Sequence, residues 1–213
     1  MMNAEALFLE DGDTLVFEDG AHLAAFLDQV FSDNSPWIPP GRNNGRTAAH
    51  RERYCLRYFL THEAAHFTYP ITVQKTERPD FIITDRTGLC IGVEHTDAGP
   101  EAYQRWLSQT ENHEADFSNP DGFPGDWSYE DAVTDIVTAL TLKTESINKF
   151  GYQDADSYVL LIHLLTNASL DFDGDFDRIL SRLPAFQHAN AGEETKHFDR
   201  VLIILNGEAR YWE

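Results

Sequence analysis

Polar and apolar positions change period several times along this chain, and each change marks an element. Val133, Ile136, Val137, Leu140 and Ile147 recur at three- and four-residue spacing and predict an amphipathic helix over 128–150. Tyr158, Val159, Leu160, Leu161 and Ile162 form an unbroken apolar run. A strand of that composition belongs inside a sheet, covered on both faces. Between residues 80 and 96, apolar and β-branched residues run up to Asp85-Arg86-Thr87-Gly88 and resume at Leu89-Cys90-Ile91, which predicts a hairpin. With Arg86, Thr87 and Gly88 as a three-residue loop and glycine in the left-handed position, Asp85 and Leu89 flank the turn. That register sets Asp80 opposite Glu94.

The remaining elements follow from the same patterns. Residues 6–18 alternate around Asp11-Gly12-Asp13 like a second hairpin, and 22–31 read as a short amphipathic helix. A turn-rich stretch over 32–45, containing Pro36, Pro39 and Pro40, leads to a helix over 47–66. Residues 67–76 then open a meander of strands. A helix is expected at 175–183, a strand at 200–205, and a further segment at 208–212 after Asn206-Gly207. No internal repeat, low-complexity tract or domain linker interrupts the chain. The expected architecture is α/β, with a mixed central sheet flanked by helices in a single domain over 1–213. Residues 1–45 form an N-terminal hairpin-helix addition to a core over 46–213.

The hairpin carries the candidate chemistry. Side chains directly opposite one another stand about 4.5–5.5 Å apart at Cβ, so ionised Asp80 and Glu94 repel. A divalent cation removes the conflict. Ligation by oxygen alone, with water filling the other positions, suits magnesium or manganese better than zinc. Lys143 falls on the apolar stripe of the 128–150 helix, three residues after Leu140 and four before Ile147. A lysine there needs an anionic partner or a route to water. Reaching Asp80 and Glu94, its ammonium could position an attacking water or stabilise charge in the transition state. The bland alternative is a lysine snorkelling at the stripe edge, and Lys149 is a second candidate for the role.

Arg78-Pro79-Asp80-Phe81-Ile82-Ile83, answered by Gly92-Val93-Glu94-His95-Thr96, resembles the PD-(D/E)XK or restriction-endonuclease-like nuclease superfamily. In that superfamily Pro-Asp ends one strand and Glu-x-Lys lies on the next. Pro79, Asp80 and Glu94 match the pattern, and Thr96 stands where the lysine is expected. The chain is more specifically similar to bacterial proteins of this superfamily that carry threonine after the glutamate and a lysine on the following helix. The resemblance extends to Trp212 in order of elements. It implies a restriction-endonuclease-like core and a magnesium- or manganese-dependent phosphodiesterase acting on nucleic acid. Asp80 and Glu94 would hold the metal and Lys143 would assist the water. It also implies that an acid of the first core helix, Glu52 or Glu63, could stand near the metal. Either acid reads equally well as a solvated or salt-bridged helix residue. Thr96 shares the face of Glu94 and could orient a ligand or water. His95 projects to the opposite face and reads as a packed or hydrogen-bonded histidine.

Composition bounds these readings. At 213 residues and 42% hydrophobic, the chain can bury a full core. Cys55 and Cys90 read as small buried residues, which fits a reducing compartment. No stretch approaches a transmembrane length, and the opening Met-Met-Asn-Ala-Glu lacks the basic start and apolar run of a signal peptide. No membrane partner and a cytoplasmic location are expected. The formal charge of -20 opposes direct binding of a polyanion. Arg42, Arg46, Arg51, Arg53 and Arg57 stand against the single acid Glu52, with Trp37, Tyr54 and Tyr58 close by. Phosphate contact by Arg46, Arg51, Arg53 and Arg57 is one reading, and an amphipathic helix with solvated arginines is the other. Residues 97–131 carry nine acids against Arg105, so the acidity is concentrated elsewhere. Nucleic-acid binding would then call on a basic partner protein.

Two further motifs compete. His62-Glu63-Ala64-Ala65-His66 matches the HExxH pattern of zinc metalloproteases, in which histidines four apart share a helical face and both ligate zinc. Pro70 stops the helix soon after, and a third ligand is needed, with Glu94 the candidate by distance downstream. The acidic run at 171–177 has the spacing of the start of an EF-hand loop, but Phe176 and Arg182 stand where glycine and glutamate are required. An acidic loop capping the following helix explains it. The reading from another class is a catalytically inactive nuclease-fold module, an interaction or inhibitor protein whose acidic surface binds a basic partner.

Overall fold

The computed structural model describes residues 10–32, 35–38, 46–100, 128–165, 175–184 and 198–212. In chain order the elements are β1 (Thr14–Phe17), α1 (Gly20–Val30), α2 (Ala48–Glu63), β2 (Ile71–Lys75), β3 (Phe81–Thr84), β4 (Cys90–Ala98), α3 (Tyr129–Phe150), β5 (Ser157–Leu164), α4 (Asp175–Leu180), β6 (Arg200–Leu205) and β7 (Glu208–Tyr211). The seven strands form one open mixed sheet whose spatial order equals the chain order. Strands β1 to β4 make an antiparallel meander, β4, β5 and β6 run parallel, and β7 turns back antiparallel on β6. Parallel pairing of β4 with β5 demands a long crossover, and α3 lies in it. The α/β class expected from the periodicity is the class observed.

Both faces of the sheet are covered. Leu23 of α1, Leu56 and Phe59 of α2, and Val73, Ile83, Val93, Val159 and Leu161 of the sheet form one core layer. Ile136 and Ile147 of α3 pack with Leu160, Ile162, Val201 and Ile203 in the other. The alternation of Val159 and Leu161 with Leu160 and Ile162 between the two layers is why β5 is continuously apolar from Tyr158 to Ile162. Helix α3 begins where Ser128 and Asp131 cap each other reciprocally and ends at Gly151, whose φ of 71° is costly for any residue with a Cβ. No helix among the described residues is long and apolar enough to cross a membrane.

The N-terminal segment joins the main sheet. Residues 6–9 lie outside the described residues, and β1 pairs antiparallel with β2. The Gly12 N–H donates to the Lys75 carbonyl at 2.9 Å, and the Lys75 N–H donates to the Asp13 carbonyl at 2.8 Å. Long-range pairing supplies these partners, which a reading of local alternation cannot see.

Gly92 is required by close approach. A Cβ there would stand 2.6 Å from Tyr158 Cδ1 and 3.0 Å from Pro79 Cγ. The Tyr158 ring cannot retreat freely, because its hydroxyl donates to the Gln153 carbonyl at 2.9 Å. Gly92→Ala is therefore expected to cost about 1–3 kcal/mol through overpacking. A lower urea midpoint with unchanged slope would report it, and an unchanged midpoint would refute the close-approach argument.

Candidate functional site: a carboxylate pair on adjacent strands

The hairpin closes as its loop residues dictate. Asp85 N–H donates to the Leu89 carbonyl at 3.0 Å, and Gly88 takes a φ of 89°. The Asp85 carboxylate accepts from the Thr87 and Leu89 N–H groups at 2.8 and 3.1 Å, which stiffens the turn. Phe81 therefore pairs with Val93, and Thr84 with Cys90. One residue further along this register, Asp80 stands opposite Glu94.

The two acids are buried, at 8% and 4% exposure. The Asp80 N–H donates to Glu94 Oε2 at 3.2 Å, and the His95 N–H donates to Asp80 Oδ2 at 2.7 Å. Lys143 reaches across from α3 and pairs with Glu94 Oε1. Burial, and then the charges of Glu94 and Glu52, push the Asp80 carboxyl well above the usual carboxylate range. The His95 N–H and the Lys143 ammonium pull the other way without cancelling them. Tyr152, just past the end of α3, donates its hydroxyl to Glu94 and is itself held protonated by burial and by that carboxylate. The expected electrostatic conflict between the acids is thus present, and Glu94 carries the pair's contacts to Lys143 and Tyr152.

A cleft of about 380 Å³ opens beside Lys143, at the C-terminal end of β4. Thr96, Gly99, Asp135, Thr138, Leu142, Lys143 and Ser146 line it. Asp80 and Glu94 do not, so Lys143 is the residue shared by the acid pair and the cleft. Ligand sites in open α/β sheets favour this end of the parallel strands.

The other sequence-derived residues scatter. Glu52 is close enough to raise Asp80, but its carboxylate lies 3.2 Å from Lys75 Nζ. Lys75, buried on the inward face of β2 and also 3.6 Å from Asp11, went unnoticed in the sequence. Its signal was its place in the alternation after Ile71 and Val73. Tyr152 was missed as well, since nothing local distinguishes it. Lys149 is exposed, with its ammonium 4.9 Å from the Phe150 ring centre and no ion pair to either acid.

The arginine stretch needs correction. Arg53 and Arg57 are 0% and 5% exposed. Arg53 donates to the Pro36 carbonyl and lies 5.6 Å from the Trp37 ring, and burial draws its pKa down to about 10. Arg57 donates to the Val30 carbonyl at 2.9 Å and stacks on Tyr54 and Phe31 at 4.1 and 4.3 Å. These side chains fasten α1 and residues 35–38 to α2, so they are not presented to a phosphate backbone. Arg51 pairs with Asp97, and Arg46 is half-buried ahead of the helix. Arg42 and residues 101–127 lie outside the described residues.

In the HExxH segment, helix α2 ends at Glu63 and leaves His66 exposed in the turn that follows. Glu63 is buried and accepts from Arg200 at 2.9 Å and from the Tyr211 hydroxyl. His62 packs edge-on against Tyr211. An acid so committed is not free to act on a metal-bound water, and it stands apart from the Asp80–Glu94 pair. Of the 171–177 run, residues 171–174 lie outside the described residues, and Asp177 pairs with Arg210.

Comparison of the chain with protein-family models, with curated proteins and with solved structures yields no match, so the reading of this site rests on its own residues and geometry.

Proposed function

We propose that the chain is a divalent-metal-dependent phosphodiesterase acting on nucleic acid, with Asp80 and Glu94 as metal ligands and Lys143 as the assisting cation. The observation that carries this is the convergence of two buried carboxylates and a lysine from three elements beside an open cleft. The residues fit a hard cation: their donors are carboxylate oxygens, and Asp80 is destabilised as an anion by burial and then by its neighbour Glu94. Magnesium or manganese bound there would supply water activation and neutralise charge on the scissile phosphate. Tyr152 fixes the orientation of Glu94. Lys143 brings a positive charge from the pair to the cleft wall, where a phosphate would meet it. Thr96 lines the same wall without supplying charge.

The charge of -20, with Arg53 and Arg57 turned inward, leaves little basic surface for a polyanion. Substrate capture by the chain alone would therefore be weak, and a basic partner protein would add to it. One observation favours the silent interaction module as a second reading: Glu94 already has Lys143, Tyr152 and the Asp80 N–H as partners.

Single- and double-stranded DNA and RNA, incubated with the protein in magnesium or in chelator, test the proposal. The expected result is magnesium-dependent cleavage by the parent chain and none by Glu94→Ala. Full activity in that variant would remove the mechanism. Calorimetric titration with magnesium separates the two readings, because the silent module has no specific site to saturate.

A further inference from the structure

On the face of β4 away from the carboxylate pair, three elements bring sulfur and nitrogen donors to one point. Cys55 comes from α2, His95 from β4 and His163 from β5, and their ligand atoms lie within 4.8 Å of one another. Asp97 joins them, with Oδ1 3.3 Å from both His95 Nε2 and His163 Nδ1, while Arg51 holds its other oxygen. Cys55 is fully buried, and His95 is 8% exposed.

The contacts at this point are charge contacts rather than well-formed hydrogen bonds. His95 Nε2, His163 Nδ1 and Asp97 Oδ1 are each shielded from solvent, and both nitrogens face that oxygen at 3.3 Å without hydrogen-bond geometry. Buried polar atoms usually form well-directed hydrogen bonds, so three that converge without one mark a place where an ion could sit among them. The spacing indicates which. Zinc–nitrogen and zinc–oxygen bonds of about 2.0–2.2 Å at a tetrahedral angle separate the two donors by about 3.3–3.5 Å. An N–H···O hydrogen bond prefers about 2.9–3.0 Å.

We propose that Cys55, His95 and His163, with Asp97 as the fourth donor, bind a zinc-class divalent ion that ties α2 to the two central parallel strands. Thiolate and imidazole select against magnesium, so this site is chemically distinct from the oxygen-only pair of Asp80 and Glu94. Arg51, on the second oxygen of Asp97, orients that ligand from outside the coordination sphere. Binding forms the metal–sulfur bond and releases the Cys55 thiol proton to solvent. The assignment does not depend on the phosphodiesterase reading.

Cobalt(II) titration of the full, untagged, chelator-stripped chain tests it. One equivalent should produce tetrahedral d–d bands together with a thiolate-to-cobalt charge-transfer band, both abolished by equimolar zinc and unaffected by magnesium. Cys55→Ser should lose the charge-transfer band, and His163→Gln should weaken binding by more than the 10–100-fold typical of an outer-shell partner. His62→Ala should change nothing. No cobalt uptake by the parent chain, a spectrum without the thiolate band, or loss of the band in His62→Ala would overturn the proposal. The parent-chain titration decides the matter even if a variant fails to fold.

Discussion

Asp80→Asn is expected to melt at a higher temperature than the parent chain at pH 7 while losing at least about 10³-fold of its magnesium-dependent cleavage. The gain follows from linkage. Burial and the neighbouring Glu94 raise the Asp80 pKa in the folded state above its unfolded value. Between those two values the native state holds a proton that the unfolded chain has released, so stability falls as pH rises through that window. Asparagine removes the titration and retains an oxygen able to accept from the His95 N–H, which reaches Asp80 Oδ2 at 2.7 Å. The difference in melting temperature should be small below about pH 4, where both states of the parent chain are protonated, and should widen above it. Each kcal/mol recovered corresponds to roughly 2–4 °C in a chain of this size.

The loss has a separate cause. On the proposed mechanism, removing one of the two carboxylates would forfeit metal-derived stabilisation worth several kcal/mol, at about 1.4 kcal/mol for each tenfold in rate. Magnesium should raise the melting temperature of the parent chain and leave that of the variant where it was. A variant less stable than the parent at pH 7 would mean that Asp80 is ionised and well compensated by Lys143, and the charge conflict would be gone.

Arg200→Ala should lower stability by about 3 kcal/mol, the smaller end of the range for breaking a buried ion pair. The lower end applies because Arg200 is 37% exposed and its charge is partly screened, whereas its partner Glu63 is buried. Without the guanidinium, Glu63 keeps the Tyr211 hydroxyl and the distant His66, 3.7 Å away. Its anion is then poorly compensated where α2 meets β6 and β7. A fall of roughly 6–12 °C in melting temperature follows. Glu63→Gln introduced into that background should return part of the loss, since it removes the stranded charge, and a double-mutant cycle would measure the coupling. Independent, additive effects of the two substitutions would dissolve the pair as a structural unit. The same experiment bears on the HExxH segment, because a catalytic glutamate of that motif would govern activity with little influence on folding.

Elements governed by local spacing could be read directly. The stripe of Ile136, Leu140 and Ile147 marked α3, the run from Tyr158 to Ile162 marked β5, and Arg86-Thr87-Gly88 set the β3–β4 register. Hairpin register is fixed by turn type, loop length and the local apolar pattern, so the opposition of Asp80 to Glu94 was legible before any tertiary contact was known. Lys143 could be placed on the inward stripe for the same reason. What only the tertiary structure decided is the fate of side chains whose partners come from distant segments. Arg53 and Arg57 look like surface cations until Trp37, Phe31 and the Val30 carbonyl close over them. Glu63 looks catalytic until Arg200 and Tyr211 reach it. Cys55, His95 and His163 belong to a helix and two strands that meet only when β4 and β5 pair beneath α2. Local sequence determines the direction in which a side chain leaves its own element. What it meets is set by the packing of elements far apart in the chain, and that contact decides whether a charge is solvated, paired or available to a ligand.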